Sequence, residues 1–204
     1  MPDAAEKKGA RTRRRIKDAF AVLLERKSFA SITVTDICRS AEMTVGGLYF
    51  HFKSQDALLD EVMHEYAEAL WRRADHVRKE TGSIRQARAI CEVFLKGYEL
   101  APGVARAYHQ LTRTRPDYTQ AWRADSEPRI TELVALLRGD RPDMAPRKAR
   151  FLAYALVTMI VSQLDLAFSP RERTKTIMRA PRSEILQNLM LLWTRMVAAD
   201  RRRA

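Results

Sequence analysis

Apolar residues recur three and four positions apart along most of this chain, and that spacing constrains its fold more than any other feature. Ile16, Phe20 and Leu23 form one such row, and Leu58 and Val62 belong to another. Residues at these intervals share one face of an α-helix, whereas a half-buried strand needs strict alternation. The seven glycines and eight prolines are also too few for the many tight turns of an all-β fold. The sequence therefore predicts an all-α protein with nine or ten helices and no strand.

The order of the helical segments predicts two domains of different size. Residues 1–15 are interpreted as a basic arm without structure, and its first part, 1–8, precedes the first domain. A helix-turn-helix domain is expected over about 9–53 and a larger helical domain over about 54–200. The helices are expected at about 16–27, 33–41, 45–51, 53–77, 84–100, 104–113, 116–139, 147–168 and 182–199, with a kink expected at Pro128.

The balance of charged residues points to a polyanionic partner. The chain has 37 Lys and Arg against 25 Asp and Glu, a formal net charge of +12. A basic surface attracts nucleic-acid phosphates and releases their counterions on binding. Charge alone leaves a second interpretation open, in which arginine covers the solvated surface of a protein that binds no nucleic acid.

Cysteine usage and hydropathy favour a cytoplasmic protein. Cys38 and Cys91 lie far apart without CxxC spacing, which excludes a disulfide scaffold and a zinc ribbon and fits a reducing compartment. Residues 1–15 are polar and lack the apolar stretch of a signal peptide. The most apolar segment begins at Phe151, and polar residues interrupt its second half, so we expect it to be too short to span a bilayer.

Two short helices joined by a tight turn, after a longer first helix, form the pattern of a helix-turn-helix. Thr33-x-x-Asp36 predicts a capping box at the first short helix, and Thr44 can cap the second. In the second, Leu48 and Phe52 point inward together. The opposite face, at 100° per residue, presents a small exposed surface that fits a major groove about 12 Å wide. Its residues are Val45, Gly46, Tyr49 and Phe50.

The segment from Ile32 to Ser54 reads ITVTDICRSAEMTVGGLYFHFKS and resembles the N-terminal signature of the TetR/AcrR family of transcriptional regulators. The Leu-Tyr-x-His-Phe core, residues 48–52 here, is its most specific part. By position, the resemblance implies that Thr35, Thr44, Val45 and Gly46 contact bases or nearby sugar-phosphate. It implies that Tyr49 and Lys53 bind phosphates, and that Leu48 and Phe52 are buried. The DNA-facing set expected from it is Thr33, Thr35, Thr44, Val45, Gly46, Gly47, Tyr49, His51 and Lys53.

Two positions depart from the family pattern. Glu42 replaces the turn glycine, so the turn needs either a non-glycine residue at an unusual φ or a slightly different geometry. Gly47 replaces the usual threonine, which removes a phosphate contact. The Gly46-Gly47 pair weakens the helix by about 0.5–1 kcal/mol per residue relative to alanine. It is interpreted either as allowing close backbone approach to DNA or as an accidentally weak first turn. Val45 can offer only apolar contact, for which a thymine methyl is the natural partner.

The resemblance also implies a homodimer that forms through the last two helices and a small-molecule effector bound inside the helical domain. Both helices are apolar nearly all round, which indicates burial on two sides. An interface is expected at Leu152, Leu156, Ile160, Leu189, Trp193 and Met196, and the alternative is a purely intrachain core. The expected effector is largely apolar. Its candidate contacts, each of which is more often a core residue than a ligand contact, are Phe94, Tyr98, Tyr108, His109, Trp122, Tyr154, Met159 and Gln163.

These features predict a ligand-released repressor that binds a near-palindromic DNA operator, without cofactor or metal. Three alternatives stay open. One is a helix-turn-helix activator or architectural DNA-binding factor, and another is a helical adaptor. The third is a di-iron helical enzyme, suggested by Glu61-x-x-His64; that fold needs the pattern twice, and the second copy is missing.

Overall fold

The computed structural model describes residues 4–76, 82–168 and 181–198, and within them every regular element is helical. Nine α-helices and a 3₁₀ helix, Phe29–Ser31, lie within these ranges and confirm the predicted all-α class. The α-helices are α1 (Ala4–Arg26), α2 (Val34–Ser40), α3 (Val45–His51), α4 (Gln55–Asp75), α5 (Ser83–Leu100), α6 (Pro102–Thr114), α7 (Pro116–Asp140), α8 (Pro146–Ala167) and α9 (Arg182–Ala198). Helix α7 continues through Pro128 as a single helix.

Helix α1 is longer than the sequence predicts, because it begins at Ala4 rather than near Ile16. The prediction of a structureless arm is therefore wrong for residues 4–15, and residues 1–3 lie outside the described part of the chain. This stretch has no apolar periodicity, but it consists largely of Ala, Lys, Glu and Arg. These residues have high intrinsic helix propensity, which extends a helix even without a buried face.

The chain divides into two compact units. The first comprises Met1–Ala69 and Ala101–Tyr108, and the second comprises Leu70–Leu100 and His109–Ala204. Along the chain, α4 and α6 therefore each begin in the first unit and end in the second.

In the first unit, α1, α2 and α3 pack against one another around a small apolar core. Ile16, Phe20, Ile37 and Leu48 are buried there. The start of α6 also belongs to this unit. Its Arg106 donates hydrogen bonds of 3.2 Å to the carbonyl oxygens of Leu24 and Glu25, near the end of α1. These bonds satisfy carbonyl groups that a helix end leaves without intrahelical partners.

In the second unit, α5 packs against α7, α8 and α9, and α8 packs against α7 and α9. Polar contacts fix helix ends in this unit. The Asp140 carboxylate accepts two hydrogen bonds from Ser83 at the start of α5, one from its backbone N–H at 2.8 Å and one from its hydroxyl at 2.6 Å. Buried Arg141 donates to the Val197 carbonyl oxygen (3.0 Å) near the end of α9 and pairs with Asp143.

Helix α8 is, within the described ranges, the one helix whose length and composition would suffice to cross a membrane. The sequence-based expectation that this segment is too short is therefore wrong on length and composition. Core helices of soluble proteins meet the same criterion. In this chain Leu156, Ile160 and Leu164 of α8 are fully buried by protein.

Candidate nucleic-acid interface and effector cavity

Helix α3 presents an exposed outer face and a buried inner one, as its sequence predicts. Leu48 and Phe52 are buried on the inner side. On the outer side, Val45, Tyr49 and Phe50 are 47%, 49% and 85% exposed. Such exposure of apolar and aromatic side chains on a seven-residue helix leaves them available for a partner, because the chain itself does not cover them.

The start of α3 is fixed by Thr44, whose hydroxyl accepts a hydrogen bond of 3.1 Å from the Gly47 N–H. The two glycines that follow differ in their surroundings. A Cβ atom on Gly46 would meet nothing within 4 Å, whereas one on Gly47 would lie 3.3 Å from the Met43 Cε and the Thr44 Oγ1. Gly46 therefore leaves open space at the surface, and Gly47 allows the helix start to sit close to its cap.

The turn between α2 and α3 has Glu42 at a φ of 50°, the left-handed region that usually favours glycine. The Met43 N–H donates to the Cys38 carbonyl oxygen at 3.0 Å and closes the end of α2. Of the two geometries that the sequence left open, the chain adopts the unusual φ, with a glutamate where the family has glycine.

Helix α2 begins with the predicted capping box. The Thr33 hydroxyl accepts from the Asp36 N–H, and the Asp36 carboxylate accepts from the Thr33 N–H, both at 3.1 Å. Lys27 pairs with the same carboxylate at 3.0 Å. The Thr33 N–H, then the Lys27 ammonium and the Thr33 hydroxyl, hold the pKa of Asp36 at about 2. Thr33 and Thr35 themselves are exposed at this helix start.

Arg13 belongs to a cluster of charges between α1 and α4, rather than to a free arm. Its guanidinium pairs with the Glu61 carboxylate, donates to the His51 carbonyl oxygen and lies 4.1 Å from the centre of the Phe52 ring. Lys17 bonds to Glu61 as well, at 3.0 Å. The hydrogen bond from Arg13 is the main cause that lowers the pKa of Glu61. This cluster fixes the end of α3, and it occupies the Glu61 carboxylate that the di-iron interpretation needs.

The nine predicted DNA-facing residues all lie in the first unit, on α2, on α3 or immediately beside them. Gly47 and His51 are half-buried, and the other seven are exposed. Their contact with DNA stays a prediction. Phe50 is the exposed residue of this surface that the predicted set omits, although the helical spacing of α3 already placed it on the outer face.

The second unit contains a cavity of about 340 Å³ between the end of α4 and helices α5, α7 and α8. Its wall is mainly apolar, with a few polar groups. Of the predicted effector contacts, Phe94 alone is among the residues lining it. The lining also includes Trp71, Asp75, Ile90, Pro128, Arg129, Glu132 and Val157.

Three further predicted contacts form an aromatic cluster with Phe94 in the second unit. The His109 ring stacks on Tyr98 with centroids 5.7 Å apart, and it meets Trp122 edge-on at 5.1 Å. Burial, with a smaller contribution from Arg113, lowers the pKa of His109 to about 3, so the imidazole is neutral at physiological pH. Phe94 lines the cavity, whereas the Tyr98, His109 and Trp122 rings are not among its lining residues and pack against one another.

The four remaining predicted contacts differ from one another in burial and in their contacts. Tyr108 is buried in the first unit against Tyr66, with ring centroids 5.4 Å apart. Tyr154 is exposed and donates to Glu127 at 2.8 Å. Met159 is half-buried and Gln163 is exposed. None of the four is among the residues that line the cavity. The sequence could not exclude them, because helical spacing does not show which neighbouring helix faces each side chain.

Five of the six predicted dimer residues are covered by their own chain, and their place in a dimer interface stays a prediction. The exception is Met196, whose side chain lies outside the described residues. A side chain buried within one chain has little area left to bury against a second chain. Periodicity indicated that both helices are covered on two sides, but the buried side is the intrachain core. The predicted dimer residues that are buried in this intrachain core are Leu152, Leu156, Ile160, Leu189 and Trp193.

Other apolar side chains of α8 and α9 remain exposed. Phe151 is 71% exposed, and Tyr154, Leu166, Leu191 and Leu192 are also open to solvent. Among the described residues, no group of three or more His, Cys, Asp or Glu side chains is placed to hold a metal ion.

Comparison with known proteins points to one family. Residues 16–62 match the model of the family described as "Bacterial regulatory proteins, tetR family". The HTH-type transcriptional regulator EthR of Mycolicibacterium smegmatis is 30% identical over 135 residues, covering 61% of this chain and 60% of the relative. The chain thus matches less than two thirds of that relative. EthR of Mycobacterium tuberculosis H37Rv is 26% identical over 187 residues, covering 88% of this chain and 84% of the relative.

Solved structures share the fold. A TetR-like transcriptional regulator from Rhodococcus sp. RHA1 aligns with a TM-score of 0.73 at 16% identity, covering 97% of this chain and 98% of the other. A tetR-family regulatory protein from Rhodococcus RHA1 aligns with a TM-score of 0.72 at 17% identity, covering 91% and 96%.

Proposed function

We propose that this chain is a TetR-family transcriptional regulator that binds a near-palindromic DNA operator as a homodimer, represses transcription and is released by a small apolar effector. The match of residues 16–62 to the family model and the similarity to EthR and to solved regulators support this proposal. The observation that carries this proposal is the outer face of α3. Val45, Tyr49 and Phe50 are exposed there, while Leu48 holds the same helix to its core.

In this proposal, the outer face of α3 enters the major groove. Thr44 and Val45 stand at the helix start, where recognition helices contact base edges. Tyr49 and Lys53 supply a hydroxyl and an ammonium for phosphates, and the net charge of +12 strengthens attraction to the duplex. Residues 9–53 would form the DNA-binding domain, and 54–200 the effector-binding and dimerisation domain. The protein would act in the cytoplasm, where its operator lies.

The effector would act by linkage. A ligand changes DNA affinity only when it binds one arrangement of the protein better than another. Trp71 and Asp75 at the end of α4 line the cavity, and the beginning of α4 belongs to the first unit. A ligand that displaces α4 would therefore change the separation of the two recognition helices in a dimer. DNA binding depends on this separation, because it must match the spacing of the two half-sites of the operator.

The test is DNA binding measured by fluorescence anisotropy, with sites selected from a random pool and at several salt concentrations. We expect sequence-selective binding to a near-palindrome. We expect Tyr49→Phe to weaken binding by about two- to tenfold, through loss of one phosphate hydrogen bond. Lys53→Ala should reduce the slope of log affinity against log salt by about one.

Tyr118→Phe, which removes a hydroxyl from α7 in the second unit, is the matched control and should leave DNA affinity unchanged. Binding without sequence preference, or equal weakening by both tyrosine variants, would contradict the proposed role of α3.

A further inference from the structure

The walls of the cavity in the second unit favour a compact, mainly apolar ligand. Ile90 and Phe94 of α5, Pro128 of α7 and Val157 of α8 line it together with Trp71 of α4. The Trp71 and Phe94 rings are nearly perpendicular, at 89°, with centroids 6.3 Å apart. Its volume of about 340 Å³ lies near the lower end of the range of about 300–1,000 Å³ for small-molecule sites. A molecule with one or two rings therefore fits best.

Two hydrogen-bond donors of the lining lack acceptors. Among the described residues, neither the Trp71 Nε1–H nor the Arg129 Nε–H has a hydrogen-bond partner, although both atoms are buried. Buried donors are normally satisfied, and the two residues that carry these donors line the same cavity, so an acceptor on a bound ligand would satisfy them. The rest of the Arg129 guanidinium is occupied. It pairs with Asp75, donates to the Trp71 carbonyl oxygen at 3.3 Å and lies 4.6 Å from the centre of the Trp71 ring.

The charges around the cavity decide what kind of acceptor fits. Arg129 is already paired with Asp75, and Glu132 adds a second carboxylate to the lining. A ligand carboxylate would therefore meet a net negative lining, and its desolvation would be poorly compensated. A neutral acceptor such as a ketone or an amide can accept from the two donors without that repulsion.

We propose that the effector of this protein is a neutral, mainly aromatic molecule whose carbonyl-type oxygen accepts hydrogen bonds from Trp71 and Arg129. This inference rests on the proposed function, in which the cavity binds an effector. It assigns the ligand class and the two residues that recognise it.

The test compares three probes of similar shape by calorimetric titration of the full-length protein without DNA. Benzophenone carries the neutral carbonyl, 1,1-diphenylethylene replaces its oxygen with a methylene group, and 4-benzoylbenzoate adds a carboxylate. We expect benzophenone to bind roughly two- to tenfold more tightly than the alkene, the difference that one net hydrogen bond supplies. We expect 4-benzoylbenzoate to bind more weakly than benzophenone.

Two variants assign the preference to its residues. Trp71→Phe keeps an aromatic wall but removes the Nε1–H, and Arg129→Lys keeps the charge beside Asp75 but removes the Nε–H. Each should reduce the preference for the ketone over the alkene. Trp193→Phe is the matched control, because the Trp193 Nε1–H is likewise buried without a partner among the described residues but does not line the cavity. It should keep the full preference.

Equal binding of ketone and alkene, tighter binding of the carboxylate, or binding of none of the probes would overturn the inference. So would a ketone preference that survives in both Trp71→Phe and Arg129→Lys. If Trp71→Phe fails to fold, Arg129→Lys and the three-probe comparison on the parent protein still decide the matter. A confirmed ketone preference with no effect of benzophenone on operator affinity would contradict the ligand response in the proposed function, while the assignment of the cavity would stand.

Discussion

Gly103 is the second residue of α6, and it lies against the backbone of α1. A Cβ atom at this position would be 2.4 Å from the Glu25 nitrogen and 2.5 Å from the Leu24 carbonyl carbon. Backbone atoms cannot move aside as the end of a flexible side chain can. Only glycine therefore permits this close approach. Arg106 of α6 donates hydrogen bonds to the same turn of α1.

We expect Gly103→Ala to lower the free energy of unfolding by about 1–3 kcal/mol, because overpacking outweighs the higher helix propensity of alanine. Gly139→Ala is the control, since Gly139 also lies in a helix but a Cβ there would meet nothing within 4 Å. That change should be neutral or stabilising, by up to about 1 kcal/mol. Urea unfolding followed by circular dichroism measures both, and equal stability of the two variants would contradict the close approach.

Helices α2 and α3 have seven residues each, and their stability depends on the groups that hold their ends. Isolated helices this short are marginal in water, so caps and tertiary packing supply most of their stability. The Thr33 and Asp36 capping box starts α2, and Thr44 starts α3. Because the caps set where each helix begins, they also set which residues of α3 face outward.

The capping box predicts a dependence of stability on pH. The folded-state pKa of Asp36, about 2, lies below its ordinary value, so the contribution of the carboxylate is present at neutral pH and is lost as pH falls through about 2. We expect Asp36→Asn to destabilise the protein at about pH 7, and we expect the difference from the parent to shrink between about pH 4 and pH 2. Chemical unfolding at a series of pH values measures this difference. A difference independent of pH would show that the charge of Asp36 does not contribute.

The single chain leaves several apolar side chains of α8 and α9 exposed to solvent. Phe151 and Tyr154 lie three residues apart and share a face of α8, and Leu191 and Leu192 of α9 are also exposed. A stable dimer buries about 1,200–2,000 Å² in total. These side chains, rather than the buried Leu156 or Trp193, can contribute to that area.

If the proposed homodimer forms through this surface, we expect Phe151→Glu to sediment as a monomer at concentrations where the parent protein forms that dimer, because a charge would be buried without a partner in the interface. Ile84→Glu introduces the same charge at an exposed apolar position of α5 and should remain dimeric. Analytical ultracentrifugation distinguishes the two. Persistence of the dimer in Phe151→Glu would place the interface on another surface.

Much of this architecture could be predicted from local patterns. The spacing of apolar residues identified the helices, and Thr33, Asp36 and Thr44 marked where α2 and α3 begin. The inward side of α3 followed from Leu48 and Phe52. These features depend on neighbours within about one helical turn, which the order of residues encodes directly. The resemblance of residues 32–54 to a family signature then supplied the expectation of DNA binding.

The tertiary structure decided the features that depend on distant neighbours. Helical spacing could not show that Leu156 and Trp193 face the core of one chain while Phe151 stays exposed. It placed Arg13 in an arm, whereas the contacts of that residue are with Glu61, His51 and Phe52. It also missed Trp71 and Arg129, because the cavity joins residues from four helices that are far apart in the chain. A helix pattern defines a face relative to its own axis, and only packing determines what covers that face.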